Sequence, residues 1–349
     1  MKQEIRLNTE LLRKRVPNLT VAAKSVGLRP ATVSNLSTGK IPLGQAKVKT
    51  LVSLAELANC KVDELILRGS QMTSVETGIK VVDLFSPIVR GGTVGLVARH
   101  GMGQLVVLAE VFQRVKNKGF KTAFCLKDEE TQGIEEVIEQ SDFYSSRVSD
   151  IKTFVEQQLL DTEVLLGVDR EKYLTDEFQD FFEQFDGVDG TKVTFLIVDT
   201  SGDAVDEELP YGPLDTLWHF DMSLASRGLF PAIDPVQSVS VILEDIHTNE
   251  EHMKVQQEAK KVIRRYRELS YIVNQRGIER LSDQDRMMFE RGKRLEMYLT
   301  QPFYVAEPFT EKKGEWVSPD QLLDDVNQIL NGYYDQKDVD SLKFIGSFS

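Results

Sequence analysis

The stretch that most constrains this chain lies at residues 89–116. Val89-Arg-Gly-Gly-Thr-Val-Gly-Leu-Val97 is an apolar, strand-like run. Ala98-Arg-His-Gly101-Met-Gly103-Gln104-Leu105 follows it as a glycine loop, and Val106 to Lys116 reads as a helix. A strand that turns through glycines into a helix gathers backbone N–H groups and a helix N-terminus at one point, which is how backbone cradles phosphate. Strand-like and helical stretches alternate after it, so this part of the chain is expected to be an α/β unit with a parallel sheet.

The rest of the chain has to be divided around that unit. At 349 residues it is long enough for two or three domains. With 41% hydrophobic and 28% charged residues, disorder throughout is excluded. No run of about 18 apolar residues exists, so no membrane insertion is expected. Met1 to Arg15 is charged and lacks an apolar core, so it does not read as a secretory signal. Cys60 and Cys125 are too few for a disulfide framework or a cysteine-rich zinc site, and a cytoplasmic location is expected. Residues 1–70 hold 12 Lys+Arg against 5 Asp+Glu, whereas the remainder holds 30 against 50. A basic head on an acidic body is a cue for a nucleic-acid-binding module. The pattern breaks in the same place: the last apolar run of the head ends at Leu67, and Arg68-Gly69-Ser70 reads as a linker. The head is therefore assigned to 1–68 and the linker to 69–74.

Within the head, Thr20 is placed to cap a helix that buries Val21, Ala22 and Val26. Gly27 ends it, and Pro30 suits the start of the next helix. Val33 and Leu36 then face inward, which leaves Thr32, Ser34, Asn35 and Ser37 facing outward between Arg29 and Lys40. Short hydroxyl and amide side chains reach base edges, and flanking cations reach phosphates. Two more helical segments are expected: Gln45 to Leu57, with Val48, Leu51, Leu54 and Leu57 on one face, and Val62 to Leu67. Residues 9–67 together resemble the phage-repressor type of helix-turn-helix domain. The resemblance implies DNA as a partner and Arg29, Thr32, Ser34, Asn35, Ser37 and Lys40 as its contacts. A small helical bundle for protein contacts is the alternative.

From about Val75 onward the chain resembles the catalytic beta subunit of the rotary ATP synthase head, a member of the alpha/beta ATPase family. Besides the glycine loop, four ordered motifs carry the resemblance. Phe230-Pro-Ala-Ile-Asp-Pro-Val-Gln-Ser-Val-Ser240 looks like the family signature. Glu279-Arg-Leu-Ser-Asp-Gln-Asp285 looks like its acidic rotor-facing loop. Leu299-Thr-Gln-Pro-Phe-Tyr-Val-Ala-Glu-Pro-Phe-Thr310 looks like its adenine-pocket strand. Gly332-Tyr-Tyr-Asp335 and Phe344-Ile-Gly-Ser347 look like its closing segments. The resemblance implies a RecA-like P-loop nucleotide domain over 75–252 and 301–312, and a C-terminal helical domain over 253–300 and 313–349. In the latter, Val255, Ala259, Val262, Ile263, Tyr266 and Leu269 recur at helical spacing. By this resemblance the helical head is expected to stand where family members have a small β-barrel.

The departures bear on chemistry. The family loop ends in Gly-Lys-Thr, where Lys reaches the β- and γ-phosphates and the hydroxyl binds Mg²⁺. Here those positions are Gln104 and Leu105, and the first loop glycine is Ala98. The family's catalytic Glu-Arg pair aligns with Asp128-Glu129, and two further family arginines align with Val241 and Met222. Asp199, ending the apolar run from Val193, stands for the Walker B carboxylate. No catalytic residue is expected, and Asp128, Glu129 and Asp199 read as vestiges. The adenine end has kept its aromatics: by the same resemblance Phe230, Phe303 and Phe309 with Ala306 would surround the base. Arg99, His100, Gly101, Gly103 and Gln104 would face phosphate. The expectation is ATP or ADP held weakly, no Mg²⁺ site, no metal site and a pseudo-ATPase. The leading function is a DNA-binding regulator whose degenerate module senses nucleotide or mediates assembly, through self-association or an ATPase-like homologue. The alternatives are a DNA-tethered ATPase motor and a non-catalytic structural partner of an intact homologue.

Overall fold

The computed structural model describes residues 5–16, 19–37, 41, 43–68, 73–127, 133–185, 192–201, 211, 214–244 and 250–348. The chain divides into two compact units, one built mainly on Met1–Met72 and one on the remainder.

Among the described residues of the first unit are the short helices α1 (Thr9–Arg15), α2 (Leu19–Ala22), α3 (Pro30–Ser37) and α4 (Val48–Leu57). Asn8 caps α1 by accepting the Leu11 N–H at 3.0 Å. The chain after α2 tightens into a 3₁₀ turn over Ala23–Val26 that stops at Gly27, whose φ of 72° is the left-handed conformation a side chain would oppose. Leu12, Ala23, Val33, Leu36, Leu54 and Leu65 form the core of this unit. Several expectations are corrected. The helix begins at Leu19, so Thr20 lies inside it rather than capping it. Val48 is 73% exposed, because it starts α4 and the packed stripe consists of Leu51, Leu54 and Ala55 one turn on. Val62–Leu67 is not a helix: a 3₁₀ turn over Val62–Leu65 leads into a strand. That strand, β2 (Ile66–Arg68), pairs antiparallel with β1 (Ile5–Leu7), so the head is not all-helical. Residues some sixty positions apart make this ribbon, and no local periodicity reports such a pairing.

The second unit is an α/β fold with a seven-stranded sheet. A small ribbon of β3 (Ser74–Val75) and β4 (Ile88–Val89) flanks α5 (Lys80–Phe85) at its entry. The sheet strands are β5 (Thr93–Val97), β6 (Phe120–Cys125), β7 (Phe143–Ser145), β8 (Glu163–Asp169), β9 (Val193–Val198), β10 (Thr216–His219) and β11 (Val239–Ser240). They run in the order β11-β10-β5-β9-β8-β6-β7, all parallel except β11. The helices are α6 (Gln104–Lys116), α7 (Glu135–Gln140), α8 (Val148–Gln158), α9 (Arg170–Tyr173), α10 (Asp176–Phe182), α11 (Met222–Ser226), α12 (Glu250–Arg276), α13 (Asp283–Tyr298), α14 (Glu307–Thr310) and α15 (Pro319–Asn331).

Both faces of the sheet are covered, which is why its central strands are apolar throughout rather than alternating. Val94, Leu96, Phe124, Leu165 and Leu196 face α6, and this core runs on into α12, α13 and α15. Cys125, Leu166, Val168, Phe195 and Ile197 face α8 and α10, where Phe178, Phe181 and Phe182 pack edge-on around Phe195. The long helix buries Val255, Ala259, Val262, Ile263, Tyr266 and Leu269, the positions its spacing predicts. It lies against α13, with Gly292 at the closest approach.

The segment 299–310 is not a strand. It runs without regular structure from Thr300 into α14. Pro302 and Pro308 have no N–H to give a sheet. The N–H groups of Tyr304 and Val305 are taken instead by the buried carboxylate of Glu110, at 3.1 and 3.0 Å.

Candidate nucleotide-type site and candidate DNA face

The carboxyl ends of β5, β9 and β8 lie side by side, since Leu96 pairs with Val198 and Asp169 with Val198. In open α/β sheets ligands bind in the crevice at this edge. The loop after β5 crosses it. Gly101 and Gly103 have φ of 82° and 86°, and Gly103 caps α6, which starts two residues before the expected Val106. Between them Met102 turns inward to 3% exposure, and its sulfur accepts the Arg99 N–H at 3.2 Å. Arg99 and His100 stand exposed at the front of the loop. Two left-handed glycines ahead of a thirteen-residue helix keep the backbone form of an anion cradle.

The side chains that would do chemistry are spent otherwise. Gln104 is 4% exposed and carries no charge. Leu105 is 9% exposed and belongs to the apolar core; its Cδ1 lies 3.8 Å from where Gly133 would carry a Cβ. Asp199, 4% exposed, turns back on its own loop and accepts the N–H and hydroxyl of Ser201 at 3.0 and 2.6 Å. Beside it Asp169 accepts the Thr200 hydroxyl and the Glu171 N–H, and burial pushes its carboxyl up. Tyr211 closes the same edge by donating its hydroxyl to the Leu96 carbonyl at 2.6 Å. Burial raises that phenol's pKa, so it stays protonated. Phosphoryl transfer relies on positioned cations and metal ligands, and among the described residues at this edge the acids serve turns and the residue after Gln104 is apolar. Asp128 and Glu129 lie outside the described residues.

The three phenylalanines expected around a base have different surroundings. Phe230, 39% exposed, follows α11, and its ring carbons lie 3.8–3.9 Å from where Gly103 would carry a Cβ. Phe303 is 6% exposed and is a core side chain, with the Arg114 guanidinium 5.8 Å from its ring centre. Phe309 is 76% exposed at the rim of a cleft of about 260 Å³ that Glu135, Glu136, Glu139, Tyr304 and Val305 also line. Neither Phe230 nor Phe303 lines that cleft, and its glutamates oppose a phosphate. Ala306 sits at the start of α14, where its carbonyl accepts the Thr310 hydroxyl at 2.9 Å. Met222 is 48% exposed at the start of α11, and Val241 follows β11.

Nothing in the motif spacing singles out Glu110 and Arg114, yet they organise the ground beneath Phe303. Arg114 donates to Glu110 at 2.6 Å and to the carbonyls of Gly78 and Glu315 at 2.9 Å, with both side chains fully buried. A Glu–Arg pair four apart on a largely buried helix is the signal that points to them.

In the first unit, α3 exposes Ala31 and Ser34, with Arg29 exposed just before it and Thr32 and Asn35 half-buried. Ser37 does not face outward: its hydroxyl oxygen is buried, without a hydrogen-bond partner among the described residues. The last turn of α3 rotates it toward the core side of Val33 and Leu36. Lys40 lies outside the described residues.

Residues 243–337 match the family model described as the C-terminal domain of V and A type ATP synthase. Among solved structures, the chain is similar to the ATP synthase subunit NeqB from Nanoarcheaum equitans. The likeness has a TM-score of 0.59 at 15% identity and covers 75% of this chain and 77% of that one. No helix among the described residues is long and apolar enough to cross a membrane. The sheet and its helices thus have the fold of an ATP synthase subunit.

Proposed function

We propose that this chain is a DNA-binding regulatory protein whose second unit is a catalytically degenerate ATP synthase-like module that senses ATP or ADP, or mediates assembly, without hydrolysis. The observation that carries the reading is the split within the loop after β5. The two left-handed glycines and the helix start persist, whereas Leu105 is taken into the core and Asp199 caps its own turn. An anion can meet N–H groups there and the exposed Arg99, whereas among the described residues Leu105 serves packing and Asp199 serves its own turn. The basic composition of residues 1–70 and the exposed Arg29 and Ser34 around α3 support DNA as the partner of the first unit. The similarity of 243–337 to an ATP synthase C-terminal domain favours a second reading. In it the chain is the non-catalytic structural partner of an intact ATPase homologue.

The test is an equilibrium titration of the full chain with ATP and ADP, with and without Mg²⁺. Phosphate release is followed in the same samples, and selection from a random duplex pool is run at each nucleotide state. Nucleotide binding without turnover, with one duplex family enriched, is the expected result. Mg²⁺-dependent phosphate release overturns the degenerate module. A pool that comes through unenriched overturns the DNA reading.

A further inference from the structure

Residues 344–348 run across three elements of the second unit, and three of the hydrogen bonds they make end on one of two buried titratable side chains, Lys80 and Asp325. Lys80, on α5, is fully buried. Its ammonium donates to the carbonyl of Tyr298 and to those of Ile345 and Gly346, the latter two at 3.0 and 3.4 Å, and lies 4.0 Å over the Tyr298 ring. Asp325, on α15, accepts the Phe348 N–H at 3.1 Å and the Tyr298 hydroxyl at 2.6 Å. The Thr300 hydroxyl, just past α13, accepts the Phe344 N–H at 2.8 Å. The Phe348 ring stacks on Tyr334 with centroids 3.9 Å apart and leans on Tyr298 at 4.8 Å.

The segment is entered through a strained residue. Phe344 has φ of 56°, a conformation that strains a bulky side chain and is kept only where surrounding contacts hold it. The Lys312 and Lys343 ammonium groups lie 4.7 and 5.2 Å from its ring. On the other side, burial draws the Lys80 ammonium down to about 7 against the pull of Asp325 and Glu315, so the pin is held at a cost as well. Side chains in the strap are half-buried rather than fully enclosed, unlike the core they lie on.

We infer that strap 344–348 is a releasable clasp that ties α5 to α13 and α15, with Lys80 and Asp325 as its pins, and that it opens without the sheet unfolding. Strain at the entry favours release, whereas the pinned bonds and the stacked ring favour closure. An opening confined to this segment is distinct from global unfolding.

Hydrogen exchange of the full chain tests this, comparing the strap with the amides of β5 and α6. Phe348→Ala removes the stacked ring and leaves the pins. Lys80→Met keeps the apolar stem and removes the donated bonds. Each variant is expected to speed exchange of the hydrogen-bonded Phe344 and Phe348 amides by about tenfold, with β5 and α6 unchanged. Exchange that rises in the strap only in step with β5 and α6 overturns the proposal, as does a strap whose exchange neither variant alters. If Lys80→Met does not fold, Phe348→Ala decides alone.

Discussion

Gly292→Ala should destabilise the second unit, although alanine is the better helix former by about 1 kcal/mol. Gly292 lies on α13 where it meets α12. A Cβ there would stand 2.3 Å from the Tyr266 Cβ, 2.9 Å from its Cγ and 3.2 Å from the Val262 carbonyl oxygen. Two of these atoms are fixed to backbone, so a rotamer change does not relieve the clash and the helices have to separate. Overpacking of this kind costs about 1–3 kcal/mol. The separation also opens the small cluster of Tyr266, Leu269 and Phe289, whose two aromatic rings sit 5.3 Å apart; such a pair contributes about 0.5–1.5 kcal/mol beyond its burial. Set against the helix gain, the net loss is about 2 kcal/mol. Urea denaturation followed by circular dichroism measures it as a lower midpoint at unchanged slope. A midpoint that rises by the helix-propensity amount would refute the close approach, because alanine would then have fitted without displacing its neighbours.

Two further outcomes follow from buried titratable groups. Asp83 accepts the N–H and hydroxyl of Thr77 and the N–H of Gly78, yet burial outweighs them and raises its carboxyl from 3.8 to about 6. A carboxyl raised on folding gives stability that is full below 3.8 and is lost as pH rises through about 6, a change of about 3 kcal/mol. The stability difference between wild type and Asp83→Asn should change by that amount across the window, and a constant difference would sink the assignment. Cys125 is fully buried, with its thiol pushed up to about 12, whereas Cys60 is partly exposed. An aromatic disulfide reagent should therefore label Cys60 in the native protein and Cys125 only on unfolding, and equal native rates would contradict the packing of β6.

What could be read from residues alone depended on how local the cause was. The helix 250–276 announced its six apolar contact positions because a 3.6-residue period is a property of one segment. Val193–Val198 announced a buried strand because a parallel strand covered on both faces is apolar throughout. Pro30 and Gly27 marked the ends of neighbouring helices through their own backbone limits. The readings that failed had distant causes. Ile66–Arg68 is a strand because Ile5–Leu7 is there to pair with it. The stretch through Phe303 looked like a strand, but a carboxylate from α6 had already taken its N–H groups. At the candidate site, the loop glycines were legible and the fate of Leu105 and Asp199 was not. Whether a leucine is buried or an aspartate caps its own turn is decided by what packs beside it.

The place of Leu105 in the apolar core makes a metal-binding loop hard to build here one substitution at a time. A hydroxyl at 105 would enter a site shaped by hydrocarbon, where an unpaired polar group costs about 1–3 kcal/mol before any metal arrives to repay it. A positive charge at 104 would meet a position now only 4% exposed. Each single substitution is thus penalised on its own, and only a coordinated change of both residues with their packing neighbours would open a metal-binding loop. Residue 105 is thus held by the packing around it, and its side chain contributes to the stability of the second unit.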